Sequence, residues 1–311
     1  MSTALFTAAA CLTHLTPPGH PERVDRLHAV LAALDAPEFG ALEWRQAPPA
    51  PESEILRCHP QRHIDRIKAA IPAEGFVQMD DDTDVSPGSL DAALHGVGAA
   101  LGALDAVIAG EVKNAFVAIR PPGHHAETEK TMGFCLFGTV AIAAKRALDH
   151  HGISRVAVVD FDVHHGNGTQ YLLAAEARVL FVSSHQMPLW PGTGAAEETG
   201  LHDNVINIPL APGTDGNAFR AAWRRLAFPR LEAFAPELVL ISAGFDAHAD
   251  DPLAQLELQP MDFAAITHQL CDLADRFAGG RVVSVLEGGY DLDALAASTA
   301  AHVKVLLERG A

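Results

Sequence analysis

The stretch VVDFDVHHGNG, residues 158–168, places Asp160, Asp162 and His164 at alternate positions after an apolar run. In extended backbone alternate side chains share a face, so these three point one way while Phe161 and Val163 point the other. A single acid at a strand end is ordinarily a helix cap or a loop hydrogen-bonder. Two carboxylates side by side repel unless a cation or a proton lies between them. An Asp-x-His pair joined by a further carboxylate makes a three-ligand site with an open position, the arrangement of catalytic rather than structural zinc. SAGFDAHADDP, residues 242–252, offers that carboxylate as Asp246, with His248 beside it as a further ligand or a rim histidine.

RPPGHH, residues 120–125, contributes Arg120, His124 and His125. Two prolines stiffen this turn and Gly123 permits a tight backbone. Adjacent loop histidines are ordinarily solvent-exposed. At a strand end facing a metal they become candidates for general base and general acid, because imidazole titrates near neutral pH. EGGY, residues 287–290, places Tyr290 after Gly288 and Gly289. A lone tyrosine is normally packing, but neighbouring glycines let its hydroxyl swing towards a developing oxyanion.

The elements that must hold these groups recur along the chain. Short β-branched runs end in polar clusters in NAFVAIRPPGHH, RVAVVDFDVHH, RVLFVSSH, ELVLISAGFDAH and RVVSVLEGGYD, and NVINIPL is a further strand. Between them lie helical patterns such as GTVAIAAKRALDHHG and PMDFAAITHQLCDLADRFAGG, each closed by a glycine. Continuous apolar strands alternating with helices predict a parallel sheet covered on both faces. Ligands bind beyond the carboxyl ends of such strands. Five segments far apart in sequence would therefore deliver their polar groups to one rim.

Composition narrows the partners. The 311 residues can bury a large core, and a formal charge of −17 argues against nucleic acid and anionic membranes as partners. MSTALFTAAACL has no basic residue ahead of its apolar run, and no apolar stretch is expected to approach the roughly 20 residues of a membrane span. A cytoplasmic protein is expected. Cys11, Cys58, Cys135 and Cys271 are scattered and fit reduced structural thiols.

PPGHPERVDRL (residues 17–27), DTDVSPGS, RPPGHHA, GFC, VDFDVHHGNGTQ, PGTG, AGFDAH, DPL and EGGYDL, in this order, resemble the zinc-dependent histone deacetylase family, in its class II-like bacterial amidohydrolase branch. The resemblance runs from about residue 15 to the C-terminus. It implies one catalytic domain over 1–311, an arginase/deacetylase-like three-layer α/β/α fold with a mainly parallel sheet of about eight strands. It implies Asp162, His164 and Asp246 as zinc ligands, and His124 and His125 as the catalytic pair. His125 would be the general base, and His124 would steady the water and the transition state. Asp160 and Asn167 would orient the two histidines, and Tyr290 would polarise the scissile carbonyl. Gly133, Phe134, Trp190, Leu253, Gly288 and Gly289 would form the acyl-lysine tunnel, with Asp82 or Asp84 at its rim. It also implies a potassium ion held by the carbonyls of Asp160, Asp162, His164 and Ser184 and the Ser183 hydroxyl.

The implied reaction is hydrolysis of an N-acetyl-lysine peptide, protein or similar small N-acyl amine to acetate and free amine, with acetylpolyamines as the alternative substrates. A homo-oligomer is also compatible, and an Asp/His ligand set accepts iron(II) as well as zinc. Several positions depart from the family pattern. Gly138 stands where asparagine is usual, Leu253 where polyamine-specific relatives carry an acid, and Trp190 where Phe or Tyr is common. PPGHPERVDRL is read either as a loop beside the site or as an inter-subunit contact. A dimanganese ureohydrolase would want extra bridging carboxylates, and a non-catalytic acyl binder would have lost a ligand, a histidine or the tyrosine.

Overall fold

The computed structural model describes residues 2–311. The first third of the chain runs through β1 (Thr3–Thr7), α1 (Val24–Leu34), β2 (Glu43–Gln46), α2 (Glu52–Ile55) and α3 (Gln61–Ala70). A small antiparallel pair follows, β3 (Val77–Asp80) with β4 (Thr83–Val85), and then α4 (Ser89–Ile108). The centre comprises β5 (Asn114–Ala118), α5 (Thr139–Asp149), β6 (Val156–Asp160), α6 (Asn167–Leu173), β7 (Val179–Gln186) and β8 (Val205–Leu210). The chain closes with α7 (Gly216–Ala222), α8 (Phe228–Phe234), β9 (Leu238–Ala243), α9 (Pro260–Phe277), β10 (Val282–Leu286) and α10 (Leu292–Gly310).

Eight strands form one parallel sheet in the order β2-β1-β5-β10-β9-β6-β7-β8. Helices α1, α9 and α10 pack on one face and α4, α5 and α6 on the other, giving three layers. Strands β5, β6, β9 and β10 are buried at every residue, which is why they read as unbroken apolar runs. The five strands that end in polar clusters, β5, β10, β9, β6 and β7, are direct neighbours. Their carboxyl ends therefore deliver those clusters to one continuous edge.

Three expectations need correction. The extended run from Asp160 to His164 is broken: β6 stops at Asp160, and Asp162 and His164 lie on the loop beyond it. The amide of Asp162 donates to Asp160 Oδ1 (3.0 Å) and that of His164 to Asp162 Oδ1 (2.9 Å). Each aspartate captures the amide two residues on, and these Asx turns, not strand alternation, bring the acids together. Second, β1 and β2 complete the sheet without having been legible as strands. Third, one apolar stretch does reach spanning length. Helix α4 has 20 residues and a mean hydropathy of 1.3. It is mostly buried against β1, β5, β10 and α5, and a helix enclosed on all sides is apolar all round.

The four cysteines are buried and free, and burial pushes the thiols of Cys11, Cys58 and Cys271 up to about 11, 12 and 12. They stay protonated and serve as packing.

His302 of α10 sits in the core among Phe116, Phe161 and Phe245. Its Nδ1 lies 2.6 Å from Thr267 Oγ1 and its Nε2 2.8 Å from Ser284 Oγ. Burial lowers it to about 3. Above the ordinary histidine value of about 6.5 neither state binds the proton, whereas below it the unfolded chain does and the folded one does not. Stability is therefore lost as pH falls from about 6.5 towards 3, at up to about 1.4 kcal/mol per pH unit from this one group. Urea unfolding at pH 7, 6 and 5 should show this slope, reduced by about one proton in His302→Gln; an unchanged slope would place the effect elsewhere.

Candidate active site

Beneath the carboxyl edge of the sheet, Asp162, His164 and Asp246 are all buried, with one ligand atom from each lying within 4.8 Å of the others. His164 Nδ1 is 3.2 Å from Asp162 Oδ1 and 3.1 Å from Asp246 Oδ2. Backbone amides hold both carboxylates in place. Val163 N–H donates to Asp246 Oδ1 (2.8 Å) and Gly288 N–H to Asp162 Oδ2 (2.8 Å). Burial, with Asp162 beside it, raises Asp246 to about 7. Burial also opposes charge on Asp162, but His124 and His164 outweigh it and hold that acid well below its usual range. Two facing carboxylates and an imidazole nitrogen, shielded from water, are the donor chemistry of a divalent metal site. His248 is not in this group; its Nδ1 accepts the amide of Asp250 (3.1 Å).

The paired histidines are buried and tilted against each other, with ring centroids 3.8 Å apart. His124 Nδ1 meets Asp160 Oδ2 at 3.0 Å, and His125 Nδ1 meets Asn167 Oδ1 at 2.8 Å. Asn167 Nδ2 donates to Glu127 Oε1 (2.9 Å), which turns its oxygen towards His125. These partners differ in charge. Burial disfavours the charge on His124, but Asp162 and Asp160 overcome it and raise the ring well above the ordinary range. Burial, then His124 and His164, push His125 well below that range. The carboxylates thus favour a second proton on the His124 ring. The environment of His125 favours the neutral ring, and because the Asn167 oxygen only accepts, its proton sits on Nδ1 and Nε2 is left as an acceptor.

A cavity of about 230 Å³ opens above these groups, with His125 and His164 at its base. Phe134, Leu189, Trp190, Leu253 and Tyr290 wall it, and Gly133 and Asp82 complete the lining. Trp190 stands edge-on to His125, with centroids 4.7 Å apart. A side chain at Gly133, where φ is +56°, would strike the His125 ring and Trp190. Asp82 Oδ1 accepts the Gly133 amide (2.9 Å), which ties the small β3–β4 hairpin to the cavity mouth. Asp84 pairs across that hairpin with Gln78 and does not line the cavity. Gly288 and Gly289 lie behind it, not in its wall. A methyl on Gly288 would fall against the Asp162 and Asp246 carboxylates, and one on Gly289 against Leu295. Tyr290 is held protonated by burial, which Arg26 only partly opposes, so its hydroxyl remains a donor.

At the proposed potassium position, His185 Nε2 faces the Gly194 carbonyl (2.9 Å) and its Nδ1 faces Ser183 Oγ (3.0 Å). A carbonyl only accepts, so Nδ1 accepts the serine proton and the Ser183 oxygen keeps its lone pairs free.

Some contributors were not legible in advance. Glu287 is buried; its Oε2 accepts the amides of Gly123 (2.7 Å) and His124 (3.2 Å) and so anchors the histidine turn. Arg120 turns away from the cavity into a fully buried pair with Glu22, which also takes Arg26. PPGHPERVDRL, which runs into α1, lies beside the site, with Arg26 donating to the carbonyls of Gly289 (2.5 Å) and Glu287 (2.6 Å). In the sequence these roles are marked only by an acid or an arginine falling inside a motif. Leu189 carries no such mark.

A parallel α/β sheet with a buried Asp–His–Asp group and paired histidines at its carboxyl edge defines a class of metal-dependent hydrolases. Within it, this chain belongs to the histone deacetylase family: the histone deacetylase domain matches residues 20–306. A histone deacetylase-like amidohydrolase of Pseudomonas aeruginosa is 40% identical, over 93% of this chain and 81% of its own. A probable deacetylase of Archaeoglobus fulgidus is 36% identical, over 94% and 82%. The crystal structure of the HDA15 HD domain superposes with a TM-score of 0.93 at 35% identity, covering 99% of this chain and 88% of that one. The chain is accordingly an amide-bond hydrolase of the deacetylase type.

If Asp162 and Asp246 hold a metal, Gly288→Ala should lower metal affinity about 10–100-fold while leaving the fold intact. Metal content after dialysis against a graded chelator checks this, with circular dichroism as the folding control; undiminished affinity would mean that the carboxylates do not form the site.

Proposed function

We propose that this chain is a single-domain, zinc-dependent deacetylase that cleaves N-acetyl-lysine, or a similar N-acyl amine, to acetate and free amine. The observation that carries the reading is the apolar-walled cavity with His125 and His164 at its base, His164 belonging to the Asp162–His164–Asp246 group. Its walls suit a methylene chain, and its base suits hydrolysis. Zinc held by those three residues would supply Lewis-acid polarisation of the amide carbonyl and acidify a water.

The chain's own groups do the rest. His125 Nε2, left free by the Asn167 contact, takes the proton of the attacking water. Protonated His124, steadied by Asp160, lends positive charge and a hydrogen bond to the same oxygen. The Tyr290 hydroxyl donates to the carbonyl oxygen as it gains charge. The carbon–nitrogen bond then breaks, and the proton passes from His125 to the departing amine. Water and amide are consumed, and carboxylate and amine are released. Leu253, rather than an acid, at the cavity wall favours acyl-lysine over an acetylpolyamine, which would bring a second ammonium. The free lone pairs of Ser183, with the carbonyls of Asp160, Asp162, His164 and Ser184, favour a potassium ion beneath the site.

Purified protein should hydrolyse a fluorogenic acetyl-lysine peptide faster than an acetylated polyamine, lose that activity to a chelator and regain it with zinc. Tyr290→Phe should lower kcat about 10²–10³-fold, the usual cost of removing one oxyanion donor. Full activity after metal stripping, or in Tyr290→Phe, would overturn the mechanism.

A further inference from the structure

Within the DPL motif, residues 251–253, Leu253 walls the cavity, whereas Asp251 has no part in the reaction as described and is nonetheless buried. Asp251 spends each carboxylate oxygen on a different backbone amide. Oδ1 accepts from Leu253 N–H (3.0 Å), and Oδ2 accepts from Tyr290 N–H (2.7 Å) across 39 residues of chain. Both recipients, Leu253 and Tyr290, line the same cavity. The Tyr290 side chain has no hydrogen-bond partner among the described residues, so its direction depends on its backbone and on its ring contacts. Those contacts are an edge from Phe134 at 5.8 Å and the Arg26 guanidinium 4.7 Å above its centroid. The two residues before it are glycines, and Gly289 has a φ of +121°, so the segment has little stiffness of its own.

The turn that presents Asp251 is held by its own hydrogen bonds. Asp251 N–H donates to the His248 carbonyl (3.0 Å), His248 N–H to Phe245 (3.2 Å), and Ala249 N–H to Leu258 (3.0 Å). His248 Nδ1 accepts Asp250 N–H, closing the turn from within. The same short loop carries Asp246, the candidate metal ligand, at its start.

We propose that Asp251 is a positioning residue that clamps Tyr290 and the Leu253 wall to one carboxylate, so that the tyrosine hydroxyl and the acyl-chain wall are set together. Two N–H donors converge on its two oxygens, an arrangement that suits a carboxylate; an asparagine would offer one acceptor and turn its amide hydrogens against the second N–H. The proposal rests on the assignment of Tyr290 as the oxyanion donor.

The test is a double-mutant cycle in metal-loaded protein on the acetyl-lysine peptide, paired with amide hydrogen exchange. Asp251→Asn should lower kcat by about 10- to 100-fold, the range expected when a reacting group is misplaced by about 1 Å, and raise KM by a smaller factor through the loosened Leu253 wall. In a Tyr290→Phe background the same substitution should lower kcat less than about twofold, because the hydroxyl it positions is already gone, while the rise in KM persists. Exchange should quicken at residues 253–254 and 288–291 and stay unchanged in α5. An equal fold-loss of kcat in both backgrounds, or unaltered exchange at Tyr290, would overturn the clamp. A wild type inactive on every acyl amine would instead sink the catalytic reading, and the exchange data alone would still decide whether Asp251 holds the two segments. Asp251→Glu, with its oxygens displaced by one methylene, replaces Asp251→Asn if the latter does not fold.

Discussion

The rest of the structure depends on the burial of acids that cannot all be charged and unpartnered. Asp160, Asp162, Asp246, Asp251 and Glu287 lie under one edge of the sheet, each almost without solvent. An isolated buried carboxylate is prohibitively costly, so each must find amides, a proton or a cation. Asp160 takes an amide and a histidine, Glu287 takes two amides, and Asp251 takes two more. Asp162 and Asp246 also take amides, yet each keeps an oxygen near His164 Nδ1. Two carboxylates and one imidazole, gathered beside a cavity that His164 lines, are a donor set that can hold a metal ion.

The same field explains how two adjacent histidines come to do different work. Their backbones are neighbours, but the side chains meet different partners: a carboxylate for His124 and a carboxamide for His125. A carboxylate stabilises imidazolium; an amide oxygen only selects a tautomer. Once His124 is charged, it further discourages a second proton on His125. A repeated residue type thus becomes an acid-like group and a base-like group through two partners contributed by β6 and α6. The apolar walls of Phe134, Trp190, Leu253 and Tyr290 keep bulk water from screening that difference.

Much of this was legible in the linear chain, and the gaps have physical causes. Central strands announce themselves because burial on both faces demands unbroken Val, Ile and Leu. Strand β2, with the sequence EWRQ, lies at the sheet edge and is largely exposed, so nothing forces it to be apolar. Strand β1 is as short as β5, β6 and β10, but the apolar run continues beyond it through AAACL, so no polar cluster marks its end. Alternation placed Asp160, Asp162 and His164 on one side, and they do converge, but through Asx turns on a loop that a period-two reading does not describe. Helix α4 passes for a membrane segment by length and hydropathy because enclosure in protein and enclosure in lipid ask for the same side chains.

What the sequence by itself determined was chemistry and periodicity: which residues can ligate, titrate or donate, and which runs must be buried strands. Those follow from side-chain type and spacing, which are local. What only the tertiary structure decided was adjacency. The order β5-β10-β9-β6-β7 makes neighbours of segments up to about 170 residues apart. It sets Tyr290 N–H on Asp251, Gly288 N–H on Asp162, and Glu287 under the His124 turn. Hydrogen bonds and charges act over a few ångströms, so their partners are chosen by the path of the chain through space and leave little trace in the order of its letters.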